Sequence, residues 1–374
     1  MKITFTGDIL CQQDMTENSG KNYFPMLEKC DTLFKNTDYL VGNLETPIAG
    51  GELGFTNERY CFNTPNEFLD MLKNAGFNLL SLANNHCMDR GEEGMLNTLA
   101  NCKKYGFDTV GVHENAADRE KIFVKELGGI KVAFVNYTYG TNAFAHHRFI
   151  KDGNGYLVNL FQPEETKEGA IHLLLPAGEI EKKVKEIYFG DGEVYERCVK
   201  EYLDRLQGDI ARAKEQADFV IMLAHIGGQR NAEPDAYSKL IMGKIKEFGA
   251  DVIVGLHPHV IHPCDTENGY LTVYDLGNFL CSEESFHNDT DIDQSVSAIL
   301  HLYLQKVNGK VKMEVGFQIS KLVTEKGVPV VYNLYDLYQK TGDESLKALS
   351  VKYANFFAGK EIYTEIADEY ILQF

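Results

Sequence analysis

The chain has 374 residues, of which 44% are hydrophobic and 25% are charged, so it can bury the core of one large domain or of two smaller ones. Its formal net charge of −18 at pH 7 disfavours contact with nucleic acids and anionic membranes, and an anionic substrate would need local positive charge, which bound metal ions can supply. No apolar run reaches the ~18 residues of a membrane helix, which excludes an integral membrane segment from the sequence given.

The N-terminus carries no signal-peptide pattern, because Met1 and Lys2 run directly into a predicted strand. Two interpretations fit this start: a cytoplasmic protein, or a chain from which an N-terminal segment has been trimmed. We expect the cytoplasmic location, since scattered cysteines without a CxxC pair are typical of reduced thiols.

Strand patterns alternate with helical patterns along most of the chain, which predicts an α/β fold. The predicted strands are Lys2–Thr6, Tyr39–Val41, Leu79–Leu82, Thr109–Val112, Lys131–Tyr137, Phe219–Ala224, Asp251–Gly255 and Thr272–Leu276. The predicted helices are Tyr23–Lys35, Glu67–Ala75, Gly94–Tyr105, Val194–Ala217 and Ala236–Phe248. A late antiparallel pair, Val296–Gln305 and Lys310–Lys321, surrounds an Asn308-Gly309 turn, and it favours two packed mixed sheets over a purely doubly wound sheet.

We predict one main domain over residues 1–310 and a C-terminal extension, residues 311–374, packed on the same domain. The last ~50 residues are expected to be mostly helical, with loop sections. The alternation breaks at about residues 140–195, where Gly153-Asn154-Gly155 and isolated aromatic residues and histidines occur. We interpret this stretch as an insertion over one end of the sheet.

Polar side chains directly follow apolar strands at several places in the sequence. They are Asp8, Glu45, Asn85 with His86, His225, and His257 with His259. Ligand sites in α/β sheets form beyond the carboxyl ends of strands, so these side chains are expected to meet at one edge. Taken singly, most have a structural explanation: a cap, a solvated loop residue, an asparagine turn or a hydrogen-bonded core histidine.

The His257-Pro258-His259 segment is harder to explain structurally, because alternate residues of an extended segment point the same way. Carboxylate, imidazole and amide groups together suit Zn, Mn or Fe. Such a set is large enough for two ions that leave positions open for water and substrate, and Glu45 is suited to bridge them with its two oxygens.

The ordered blocks GD, NLETP, SLANNH, a strand ending in His225, GLHPH and LGNF resemble the CapA/PgsA family of poly-γ-glutamate capsule biosynthesis, as does NYTYGTN at 136–142. The resemblance covers about residues 1–285. That family is similar to calcineurin-like metallophosphoesterases, which implies a four-layer α/β/β/α sandwich of two mixed sheets. It implies that two divalent transition metal ions (Mn, Fe or Zn) are bound by Asp8, Glu45, Asn85, His225, His257 and His259. His86 would then protonate or orient the scissile group.

Three further residues are expected to contact the substrate: Arg59, Tyr137 and Asn278. An arginine fork suits phosphate or carboxylate, although Arg59, Arg148 and Arg230 are each also explained as surface charges. Tyr137 belongs to the NYTYGTN segment, and Asn278 belongs to LGNF.

The sequence also departs from the family patterns. Leu10 stands where calcineurin-like enzymes usually carry a histidine, while Ile226 and Gln229 replace the tryptophan and glutamate of the HWGxEY block of CapA-type proteins. We therefore keep several hypotheses: a metal-dependent hydrolase of a phosphoester or γ-glutamyl-type substrate, a non-catalytic polyglutamate-binding component of capsule assembly or transport, and a changed site that serves another pathway.

Overall fold

Two β-sheets pack face to face, and helices cover their outer surfaces. The computed structural model describes residues 1–58, 60–164, 200–286 and 292–374. The strands are β1 Lys2–Ile9, β2 Tyr39–Leu44, β3 Phe77–Ser81, β4 Asp108–Val110, β5 Phe123–Leu127, β6 Ile130–Thr138, β7 Phe219–His225, β8 Val252–Leu256, β9 Leu271–Val273, β10 Asn278–Leu280, β11 Val296–Val307, β12 Lys310–Glu325, β13 Val328–Asn333 and β14 Tyr370–Ile371.

Most of the helices follow strands. They are α1 Gln13–Ser19, α2 Glu67–Asn74, α3 Gly91–Lys104, α4 Ala116–Arg119, α5 Ala143–His146, α6 Lys200–Gln216, α7 Ala236–Phe248, α8 Leu334–Thr341 and α9 Glu344–Ala358. Short 3₁₀ helices lie at Phe24–Met26, Asp31–Phe34, Gly51–Leu53, Glu267–Gly269 and Glu283–Ser285.

Both sheets are mixed. The larger sheet has the order β13-β12-β11-β1-β2-β3-β4, with β10 pairing with β1 and β14 with β12. In it, β1 to β4 run parallel, whereas β11 is antiparallel to β1 and forms the predicted hairpin with β12. The smaller sheet has the order β5-β6-β7-β8-β9, with β6 to β9 parallel and β5 antiparallel.

Alternating side chains build three apolar layers between the four structural layers. In β6, Phe134 packs between the two sheets, whereas its neighbour Val135 packs with residues of α6 and α7 on the outer face of the smaller sheet. Residues of α2 and α3, such as Phe68 and Leu99, cover the outer face of the larger sheet. Helix, sheet, sheet and helix follow one another, which confirms the predicted α/β/β/α sandwich of two mixed sheets.

Some predicted elements differ from the structure. The expected helix Tyr23–Lys35 is wrong: the two short 3₁₀ helices around Met26 and Leu33 bury the apolar side chains there instead. So short a helix is marginal on its own, and packing against the sheet decides the backbone. The C-terminal residues also contain β13 and β14 besides α8 and α9, so they are less helical than expected.

The domain division at residue 310 stays a prediction. In the structure, β12, β13 and β14 extend the larger sheet itself. Part of the predicted insertion and the first residues of the predicted helix Val194–Ala217 lie outside the described residues. Within the described ranges, no helix combines the length and the apolar character that crossing a bilayer requires.

Candidate metal centre

The carboxyl ends of the parallel strands of both sheets meet at one place. Asp8 lies near the end of β1, Glu45 directly follows β2, and Asn85 lies in the loop after β3. From the smaller sheet, His225 is the last residue of β7 and His257 directly follows β8. The parallel order of these strands carries their terminal side chains to a common edge, as expected for α/β sheets.

Two groups of potential metal ligands share one carboxylate. One ligand atom each from Glu45, His225 and His257 lie within 4.8 Å of one another, and the same holds for Asp8, Glu45 and His259. A carboxylate common to both groups can place one oxygen on each of two adjacent ions. The structure thus brings these five predicted ligands together, with Glu45 between the two groups.

Glu45 is fully buried, with 0% of its surface exposed. In the described part of the chain neither of its carboxylate oxygens has a hydrogen-bond donor, and Oε1 lies 3.6 Å from Nε2 of His225 and 3.7 Å from Nε2 of His259. Burial, and then the nearby Asp8 carboxylate, raise the pKa of Glu45 well above its ordinary value. A buried carboxylate without a donor is costly, so its surroundings fit a metal ligand better than a structural side chain.

Asp8 is held by donors from both sheets. Nδ2 of Asn43 donates to Oδ1 at 2.8 Å, the backbone N–H of His257 donates to Oδ2 at 3.1 Å, and Nδ1 of His259 lies 3.2 Å from Oδ2. Burial alone would raise the pKa of Asp8, but contact with His259, together with the smaller effects of its other neighbours, lowers it below the ordinary value. Asp8 is therefore held as a carboxylate, the form that binds cations.

His225 is kept neutral. Burial is the main reason that its pKa falls to about 3, while the Asp8 carboxylate opposes the fall and the neighbouring His259 adds to it. Oδ1 of Asn85 lies 2.8 Å from Nε2 of His225, while Nδ2 of Asn85 donates to Oδ1 of Asn142 at 3.2 Å. The amide oxygen of Asn85 therefore faces His225, and a neutral imidazole beside it is the metal-binding form.

The sequence suggested an extended His257-Pro258-His259 segment, but the backbone there is not extended. Both histidines have positive φ, 105° at His257 and 63° at His259, which is uncommon for residues with a side chain. The two imidazoles consequently separate, one into each ligand group, instead of pointing the same way. Backbone strain of this kind persists where the surroundings over-determine it, as at binding sites.

His86 lies beside the ligand groups and is held by a residue that the sequence analysis missed. Its Nδ1 lies 2.8 Å from Oδ2 of Asp89, which also accepts the backbone N–H of Phe62 at 2.6 Å. The ring of Phe62 lies 4.4 Å from the ring of His86. This arrangement occupies Nδ1 and leaves Nε2 for exchange of a proton. The sequence feature that could have identified Asp89 is its position three residues after His86.

Tyr137, expected to contact the substrate, is not brought to this place. It is fully buried, and its hydroxyl donates to Asp209 of α6 at 2.6 Å and accepts from Nη2 of Arg119 at 2.9 Å. Tyr139 lies there instead, with its ring centroid 4.6 Å from that of His257 and nearly parallel to the ring of His225. The site lies beyond the strand ends, so only the residue after the last strand position of β6 reaches it.

Of the other two predicted substrate contacts, Asn278 and Arg59, only Asn278 is among the described residues. Nδ2 of Asn278 donates to the backbone oxygens of His259 at 3.1 Å and Gln294 at 3.3 Å, so Asn278 holds the His259 loop while it also lines a small cavity above the ligand groups. His86, His259 and Arg230 line the same cavity. Arg59 lies outside the described residues.

Two more residues bear on the chemistry of this cavity. Leu10 lines it, so the position that differs from the calcineurin-like pattern presents an apolar side chain beside the ligand groups. Asp275, which the sequence analysis also missed, is fully buried near Asp8, and burial followed by the charge of Asp8 raises its pKa. Its Oδ2 accepts the backbone N–H of Val260 at 3.1 Å and so helps to hold the loop after His259.

The chain is similar to known proteins over most of its length. It is 26% identical over 346 residues to the PGA biosynthesis protein CapA of Bacillus subtilis (strain 168), covering 91% of this chain and 76% of that protein. It is also 26% identical over 286 residues to the capsule biosynthesis protein CapA of Bacillus anthracis, covering 75% of this chain and 59% of that protein.

Among solved structures, a putative 5'-nucleotidase from Staphylococcus aureus in complex with alpha-ketoglutarate aligns over 95% of this chain and 58% of its own, with 11% identity and a TM-score of 0.43. A profile of the family described as "Bacterial capsule synthesis protein PGA_cap" matches residues 2–283. The match includes β1 to β4 and β10 of the larger sheet, the whole of the smaller sheet and every residue of the two ligand groups, and the chain belongs to this bacterial capsule synthesis family.

Proposed function

We propose that the chain is a metal-dependent hydrolase that binds two divalent transition metal ions and cleaves a phosphoester or a γ-glutamyl-type bond. The observation that carries this proposal is the pair of ligand groups that share Glu45. Two adjacent ions would supply Lewis acidity and an activated water for an in-line displacement. Asp8 and His259 would hold one ion, and Asn85, His225 and His257 the other.

The remaining residues would bind and orient the substrate. His86, with Nδ1 fixed by Asp89, would deliver a proton from Nε2 to the leaving group. Arg230 lines the cavity above the ligand groups, and a guanidinium there suits an anionic oxygen of the substrate. The chain has a net charge of −18, so recruitment of an anion depends on local positive charge of this kind.

The direct test is metal content followed by turnover. Protein loaded separately with Mn²⁺, Fe²⁺ or Zn²⁺ is expected to retain about two ions per chain, the number that such a shared-carboxylate centre holds. Asp8→Ala and His257→Ala should lower this number, whereas His301→Gln, which changes a buried histidine of β11, should not. Failure of the unaltered chain to retain any transition metal between pH 6 and pH 8 would exclude the proposal.

Turnover identifies the substrate class. The loaded protein is assayed on p-nitrophenyl phosphate, on bis(p-nitrophenyl) phosphate and on γ-glutamyl peptides. Arg230→Gln is expected to raise KM more than it lowers kcat, because Arg230 is proposed to bind substrate and not metal. Unchanged KM in this variant would contradict that role.

The names of the two Bacillus relatives favour a second candidate, a polyglutamate-binding component of capsule biosynthesis that does not cleave its ligand. Retained metal without turnover on any of the three substrate types, together with tight binding of poly-γ-glutamate, would support this candidate. A cytoplasmic location stays a prediction for either function.

A further inference from the structure

A second cavity, away from the ligand groups, lies where the edges of the two sheets diverge. It has a volume of about 440 Å³ and is bounded by β4 on one side and by β5 and β6 on the other. Phe107, Val110, Phe123 and Phe134 contribute apolar surface to its wall. The volume falls within the range of about 300–1,000 Å³ that is typical of small-molecule sites.

The carboxylates in the wall of this cavity already have partners. Asp108 accepts from Nζ of Lys125 at 2.8 Å and from the hydroxyl of Tyr39 at 2.6 Å. Asp118 lies 3.4 Å from Nζ of Lys121 and also accepts a backbone N–H. These acidic groups therefore offer little to a cationic ligand, since each is neutralised within the chain.

The basic side chains in the wall are also paired, but Arg119 keeps one donor without an acceptor. Arg119 is 4% exposed, and its Nη1 lies 2.8 Å from Oδ2 of Asp209, while Nη2 donates to the hydroxyl of Tyr137. Asp209 also pairs with Arg212, whose Nη2 in turn lies 3.4 Å from Oε2 of Glu120. Nε of Arg119 has no acceptor among the residues that the structure describes. A buried donor on a charged group without an acceptor is costly, and a ligand oxygen would remove that cost.

We propose that this cavity binds a small organic anion, in which an apolar body lies against Phe107, Phe123 and Phe134 and an oxyanion group accepts hydrogen bonds from Arg119. Carboxylate, phosphate and sulfonate share this acceptor chemistry. Lys103 and Lys121 also line the cavity, where they pair with Glu114 and Asp118. The site is separate from the metal ligands, so ligand binding there does not depend on the proposed hydrolase activity.

The test uses 8-anilino-1-naphthalenesulfonate, a fluorescent sulfonate with an apolar body, titrated into the folded chain in the presence of EDTA. We expect saturable binding near one probe per chain, and about tenfold weaker binding to Arg119→Lys, which keeps the charge but loses the fork geometry. The uncharged analogue N-phenyl-1-naphthylamine should bind more weakly than the sulfonate. Equal affinity of the probe for the unaltered chain and for Arg119→Lys would overturn the proposal.

A second variant fills the cavity. Thr109 lies on β4, lines the cavity and is half-buried, so Thr109→Trp is expected to abolish the saturable component without disturbing the core. Thr324→Trp, at an exposed position of β12, is the matched control, because the natural chain has no tryptophan and both variants add one. Circular dichroism verifies that each variant is folded. Probe binding that survives in folded Thr109→Trp would place the probe elsewhere and refute the site.

Competition separates the natural ligand classes. Phenylacetate and phenylphosphonate carry a carboxylate and a phosphonate on similar apolar bodies, and displacement of the probe by one more than the other identifies the preferred oxyanion. If neither displaces the probe at millimolar concentration, the cavity does not recognise small organic anions, and the proposal fails.

Discussion

Nδ1 of His86 lies 2.8 Å from Oδ2 of Asp89, a carboxylate that is fully shielded from solvent. This contact fixes the orientation of the imidazole beside the ligand groups. We predict that Asp89→Asn lowers kcat by about ten- to a hundredfold with little change in KM or metal content.

The control for this variant is Asp343→Asn, at the N-cap of α9, where asparagine caps about as well as aspartate. Its kcat should match that of the unaltered chain. A loss of bound metal in Asp89→Asn would mean that Asp89 supports the ligand groups and does not act through His86.

Glu45→Gln is expected to have opposite effects on the metal-free and the metal-loaded protein. The raised pKa of Glu45 means that its charged form is disfavoured in the folded chain at neutral pH. A neutral amide should therefore raise the free energy of unfolding of the metal-free protein by about 1 kcal/mol or more. The same variant should lose most of the stabilisation that added Mn²⁺ provides.

Urea denaturation with EDTA and with excess Mn²⁺ measures both effects. A Glu45→Gln chain that is less stable without metal would show that the carboxylate is held by structural partners. Equal stabilisation of both chains by Mn²⁺ would remove Glu45 from the ligand set.

Tyr137→Phe tests whether Tyr137 stabilises the fold and does not contact the substrate. The hydroxyl bonds to a buried carboxylate and a buried guanidinium, so its removal should lower the free energy of unfolding by about 1–3 kcal/mol. Metal content and turnover should not change. Tyr139→Phe is the matched comparison and should alter metal affinity, because the Tyr139 hydroxyl that it removes lies near Glu45 and the side chain of Asn85. A turnover defect confined to Tyr137→Phe would restore its expected role in substrate binding.

The buried His301 makes the free energy of unfolding depend on pH in the acidic range. Burial, followed by the charge of Lys2, lowers the pKa of this β11 histidine to about 3. The folded chain therefore keeps the imidazole neutral where the unfolded chain takes up a proton, so stability falls as pH drops below about 6.5 towards about 3. Between pH 7 and pH 5 this group should account for about 2 kcal/mol of lost stability.

His301→Gln should flatten that part of the profile, as measured by urea denaturation in EDTA at both pH values. The comparison is Thr324→Trp, at an exposed position of β12 without a titratable side chain, which should leave the slope unchanged. Identical slopes for the unaltered chain and His301→Gln would show that other groups govern the acid dependence.

The ligand groups illustrate what is predictable from sequence. Each of Asp8, Glu45 and His225 lies at or directly after the end of an apolar strand. Parallel strands carry such ends to one edge whatever the detailed packing, so the convergence followed from the pattern alone. The hairpin at Asn308-Gly309 was also predictable from local sequence, because its turn requires positive φ, which both residues adopt.

Other features depended on contacts between distant segments. The division of His257 and His259 between two ligand groups follows from a positive-φ backbone that no local pattern indicates. The choice of Tyr139 over Tyr137 follows from where β6 ends beside β7, and the burial of Arg119 against Asp209 follows from α4 meeting α6. The positions of most strands along the chain and the chemistry of the ligand set were thus determined by local sequence. The burial, pairing and orientation of each side chain were decided only by the tertiary structure, because they depend on neighbours that are far apart along the chain.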